Sequence, residues 1–160
     1  MTKGHPMSGF VAGGSTPAAN HINTDSFWPS IDLDKMREAL RIDASVTPAR
    51  LETAVVAAAI SVNRELLKWR YAQQVAGYAT LADVPAGTIQ DVSELVHLYT
   101  RAIQAAAGAE VCERYRSYDS TGSGDRKAEA LQFNIDEYRR DQRWAIRDLL
   151  GVGRMTVELI

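Results

Sequence analysis

The chain has 160 residues, 46% of them hydrophobic and 24% charged, which suits one domain with a real core and excludes a disordered chain. Its 18 basic and 20 acidic residues leave a formal net charge of -2, which argues against a dedicated duplex-DNA binder, because such domains carry a basic stripe. The lone cysteine, Cys112, excludes an intramolecular disulfide and suits a reducing cytoplasm, and no apolar run is long enough to span a membrane.

Residues 1–24 are rich in glycine, serine, threonine and proline and show no helical or strand periodicity. They read as a flexible arm, with no apolar segment after Lys3 to make a signal peptide. Gly13-Gly14 lacks the strand, the Lys-Ser/Thr pair and the helix of a phosphate-binding loop, and His5 and His21 read as exposed arm residues without ligand spacing. The chain then changes character at Phe27-Trp28-Pro29. An apolar cluster there would pin the root of the arm to the body.

A helical domain is expected over 25–150. Its first helix should run from about Leu33 to Ile42, with Asp32 as cap and Ile31 and Met36 as a hydrophobic staple. Thr47 and Pro48 then open a helix of about 43 Å that Gly77 closes, with Val46 stapled to Leu51. One apolar series on it is Leu51, Val55, Ala58, Val62, Leu66 and Trp69; a second is Val56, Ile60, Leu67 and Tyr71. Two series make a wide apolar face, and such a helix needs partners on more than one side.

After a loop turning at Pro85 and Gly87, Asp91 and Glu94 suggest a capping box for the next helix. Its seam is Val92, Leu95, Val96, Tyr99, Ile103 and Ala106, extended by Val111, Cys112 and Tyr115. Gly108 inside it costs about 1 kcal/mol against alanine and implies a close crossing or a slight break. His97 reads as a packing or surface residue, and Cys112 as a small buried hydrophobe. Ser120–Asp125 is a loop, followed by the last long helix, with Leu131, Ile135, Tyr138, Ala145 and Leu149 on one face and Phe133, Trp144 and Ile146 widening it. Its acids and bases balance, as on a salt-bridged face.

Gly151 and Gly153 end that helix. Met155, Val157 and Leu159 alternate with Thr156 and Glu158, so 151–160 reads as an extended tail that another molecule receives. The fold class is therefore all-α: three long helices bundled with a short N-terminal one, between a flexible arm and an extended tail. No residue spacing announces a catalytic, cofactor or metal site. Two other readings are a helical nucleic-acid-binding or packaging factor, like a terminase small subunit, and an enzyme of undefined type. The first needs a basic recognition face and the second a polar cluster in a cleft.

Three stretches carry a resemblance: FWPSIDLDKMREALRIDASVTPARLETAV, the loop GYATLADVPAG, and VCERYRSYDSTGSGDRKAEALQFNIDEYRRDQRWAIRDLL. In this order they resemble the head completion/stabilisation proteins of tailed bacteriophages, over about residues 25–150. The resemblance implies a virion protein of the head–tail neck, assembled in the host cytoplasm, that closes the filled head beneath the portal and prepares it for tail joining. It implies as partners the portal protein, copies of itself in a twelvefold ring, a tail terminator or neck protein, and packaged DNA in the lumen. By analogy with related adaptors, Met155, Val157, Leu159 and Ile160 are expected to anchor on the portal; from the residues themselves, Phe27, Trp28 and Trp144 are expected to serve as interface residues. Arg126, Lys127 and Arg143 are the bases placed to meet DNA phosphates. The resemblance carries over no catalytic residue.

Overall fold

The computed structural model describes residues 20–42, 46–115 and 124–153, of which Tyr115 and 124–133 are described as backbone only. Two short strands, β1 (His21–Ile22) and β2 (Ile31–Asp32), pair antiparallel with Ile22 opposite Ile31. Helix α1 (Leu33–Ala39) follows at once, and the Asp32 carboxylate accepts from the Asp34 and Lys35 amides as its cap. Backbone bonds to those amides, that of Lys35 above all, hold the Asp32 pKa below the usual carboxylate value. Ile31 and Met36 are both buried, as a staple requires.

Helix α1 stops three residues short of the expected end. Arg41 adopts a left-handed backbone (φ 53°), and the Arg41 and Ile42 amides bond back to the Glu38 and Arg37 carbonyls. This is the Schellman pattern usually closed by glycine. Gly77 and Gly151 close two later helices with the same pair of bonds.

Thr47 and Pro48 open helix α2 (Pro48–Glu65), the Thr47 hydroxyl accepting from the Arg50 amide. The single long helix expected here is broken at Leu66, and α3 (Leu67–Val75) continues beyond it. Neither glycine nor proline causes the break. Leu66 is fully buried, so its side chain stays in the core while its backbone relaxes to φ -86°, ψ -1°.

A second difference from the expected all-α fold lies before the next helix. Strands β3 (Thr88–Ile89) and β4 (Val92–Ser93) make a hairpin whose two turn residues, Gln90 and Asp91, both have positive φ. That is the twist a two-residue hairpin needs. Asp91 is thus a turn residue and not a helix cap. Helix α4 (Glu94–Tyr115) begins later, with the Ser93 hydroxyl accepting from the Leu95 amide at 3.3 Å. The last helix is α5 (Gly124–Leu149). The Ser120–Asp125 loop falls mostly outside the described residues, as does the tail from Arg154 on.

Helix α4 is central, packed against α2 on one side and α5 on the other. The core is Leu51, Val55, Ala58 and Val62 of α2, Tyr99, Ile103 and Ala106 of α4, and Ile146 and Leu149 of α5, sealed by Phe27, Trp28 and Leu81. Val92, expected on the α4 seam, sits in β4 and is 38% exposed. Gly108 marks a close crossing: a Cβ there would stand 2.9 Å from the Tyr138 ring and 3.0 Å from Leu40.

Candidate subunit interface

Residues 20–32 form a strap across the helices. At its start, the Asn20 amide side chain donates to the Asp34 carboxylate at 3.1 Å, and the Leu33 amide donates to the Asn20 carbonyl. His21, expected as an exposed arm residue, is half-buried in β1 beside Asp32, 3.8 Å from its carboxylate. The strap's centre is an aromatic cluster. Trp28 stacks on Tyr99, Phe27 meets Trp28 and Trp69 edge-on, and the Arg70 guanidinium lies 5.6 Å above the Phe27 ring. Arg70 also pairs with the Asp25 carboxylate, whose other oxygen accepts from the Phe27 amide.

Tyr99 is fully buried and donates to Asn63 Oδ1 at 2.9 Å. Burial pushes its pKa up to about 12, against the opposing hydrogen bonds of Thr24 and Asn63. Phe27 and Trp28, expected as interface residues, are only 1% and 4% exposed. They pin the strap to its own body and leave almost no surface for a neighbour. Trp144 is half-buried on α5, with the Arg140 guanidinium 4.8 Å above its ring. Met155, Val157, Leu159 and Ile160 lie outside the described residues. Arg143 is exposed, while the side chains of Arg126 and Lys127 lie outside the described ones.

Charge on α5 is used to hold the bundle together. Arg139 forks onto both Glu113 oxygens at 2.9 Å and reaches Gln142 Oε1, and Gln142 in turn donates to Glu65 on α2. This chain links α2, α4 and α5 through one buried amide, Gln142. Cys112 is half-buried, and burial, then the neighbouring Glu113, raises its pKa and disfavours the thiolate.

The exposed apolar surface lies elsewhere. Val56, Ile60, Leu67, Tyr71 and Val75 are 39, 55, 57, 69 and 71% exposed. They recur every four or seven residues, so they form one stripe along α2 and α3. Four of the five are the second apolar series of the sequence. A shallow groove between strap and α2, lined by Ile22, Asp25, Ile60 and Asn63, opens beside it. Contiguous exposed apolar surface of this kind marks an interaction site. Among the described residues no cluster of histidine, cysteine or carboxylate side chains is arranged to hold a metal ion.

The family model for phage head completion protein (GPL) matches residues 22–160. The chain belongs to this head completion family. It is 40% identical over 139 residues to the head completion/stabilization protein of Escherichia phage P2, covering 87% of this chain and 82% of that relative. No solved structure matches it significantly. The family match starts at β1 and runs through the final residue, so it takes in the strap, the stripe and the tail, and leaves out the first 21 residues.

Proposed function

We propose that this head completion protein is a structural adaptor of the virion neck. It binds beneath the portal after DNA packaging, in a twelvefold ring, seals the filled head and offers the surface to which a tail or neck protein joins. The observation that supports this reading is the α2–α3 stripe. A subunit that buries Phe27, Trp28 and Tyr99 at home yet leaves five large apolar side chains on one face is suited to being covered in an assembly.

The tail supplies the second contact. Gly151 and Val152 cap α5, and the Arg147 guanidinium donates to the Gly153 carbonyl, so the helix is finished before residue 154. Met155, Val157, Leu159 and Ile160 follow this cap in sequence and serve as portal anchors. A near-neutral chain suits a ring through which DNA must pass without being gripped, with Arg143 among the bases available to phosphate.

The test is removal of residues 154–160, which leaves the α5 cap intact. Binding of the truncated protein to purified portal rings is expected to fall at least tenfold. Undiminished binding refutes the tail as anchor.

A further inference from the structure

The reading above gives each copy a neighbour, and the following rests on it. We infer that the β3–β4 hairpin of one copy docks on the α2–α3 stripe of the next, head to tail.

The hairpin is an apolar knob. Ile89 and Val92 are cross-strand partners, hence on one face, and they are 55% and 38% exposed. It is also held in place: the Ile89 carbonyl lies 2.9 Å from His97 Nε2, and the Glu94 amide donates to the Gly87 carbonyl. Its surroundings are acidic. Asp83, Asp91 and Glu94 are exposed, and no lysine or arginine occurs between Arg70 and Arg101.

The stripe is the complement. Arg64 and Lys68 follow Ile60 at successive steps of four, so they line one edge of it, and among the described residues neither has an acidic partner. Glu65 is engaged by Gln142, and Glu52 falls on the opposite edge by helical phase. An apolar face with a basic rim therefore meets an apolar knob with an acidic rim. Because the two patches differ, the contact is heterologous and propagates into a ring, whereas a twofold dimer would need one patch to match itself.

Size sets its strength. The stripe is about 28 Å long and one helix, about 10 Å, wide. That is well under the roughly 800 Å² per partner of a stable complex. Copies thus stay apart when free and close the seam when a portal ring holds them side by side.

Two charge-reversed chains test this. One carries Arg64→Glu and Lys68→Glu; the other carries Asp91→Lys and Glu94→Lys. On purified portal rings, each alone is expected to lose at least about tenfold in cooperative loading, because like charges now meet. An equimolar mixture is expected to recover, since in an alternating even ring reversed stripe meets reversed hairpin at one seam and native stripe meets native hairpin at the next. As a second route, Ile60→Cys with Ile89→Cys in a Cys112→Ser background should give a ladder of disulfide-linked copies on oxidation. Loading unchanged by either reversal, or no recovery on mixing together with no ladder, overturns the seam. Wild-type protein that loads portal without contacting its own copies overturns the ring reading itself.

Discussion

The indole of Trp28 lies flat against the phenol ring of Tyr99, centroids 4.6 Å apart and planes within 5° of parallel. The two residues belong to the strap and to the central helix. Their contact is what makes residues 20–32 part of the folded body. Trp28→Ala is expected to cost about 3–5 kcal/mol, because a large buried ring is lost and its cavity cannot close. Urea unfolding followed by circular dichroism measures the loss, and limited proteolysis should shift into residues 20–32. A cost below about 1 kcal/mol would mean the strap is not held by this pair.

Tyr99 also sets an alkaline limit. Its folded pKa is raised to about 12 against an ordinary value of 10.0. The folded state thus holds the phenolic proton more tightly than the unfolded chain. That stability is fully present below pH 10 and is lost as pH rises toward 12, on the order of 3 kcal/mol. Burial raises the Tyr138 pKa too, and adds in the same direction. Tyr99→Phe should flatten this alkaline decline while costing about 1 kcal/mol at neutral pH, since Asn63 loses its donor. A wild-type stability curve that is level from pH 9 to 12 contradicts the assignment.

Gly108→Ala sets propensity against space. Alanine gains about 1 kcal/mol of helix propensity. Its methyl group, however, would stand 2.9 Å from the Tyr138 ring, between two helices that pack along much of their length. Overpacking of this kind costs about 1–3 kcal/mol, so a net loss is expected. Tyr138→Leu in the same chain should recover part of it. A stabilised Gly108→Ala variant would show that α4 and α5 can part at this point.

Arg41→Gly is expected to stabilise the fold. Arg41 is exposed and left-handed at φ 53°, a backbone that costs a branched or long side chain about 1 kcal/mol relative to glycine. Glycine's extra freedom in the unfolded chain offsets part of the gain, leaving about 0.5 kcal/mol. Thermal melts of the two proteins side by side decide the sign.

The starts of α1 and α2 were legible because their chemistry is local. Asp32 with Ile31 and Met36, and Thr47 with Pro48, each announce a first turn within a few residues, and both are formed as expected. The second apolar series on α2 and α3 was visible too, and is the stripe now found exposed. What escaped was set by tertiary contact or by elements too short to repeat. Two-residue strands have no periodicity to detect. Gln90 and Asp91 carry positive φ without being glycine or asparagine, so Asp91 looked like a cap. Leu66 continues the apolar series unbroken, so nothing in it marks a break. Phe27 and Trp28 were legible as a cluster pinning the arm's root, but not the partners they pack on. Only Tyr99 and Trp69, distant in sequence, show that they fill the core.

The break at Leu66 divides the stripe between two supports of unequal firmness. Helix α2 places six residues in the core, from Leu51 to Val62, whereas α3 contributes no fully buried residue and is tied down through Trp69 and Arg70. Opening of α3 therefore exposes little apolar surface, and its amides should exchange with solvent well ahead of those of α2. On the proposed seam, a neighbour that covers Leu67, Tyr71 and Val75 would still this segment as it binds. If the proposed seam forms, the lone subunit carries a half-settled edge that would become rigid only as the particle is put together.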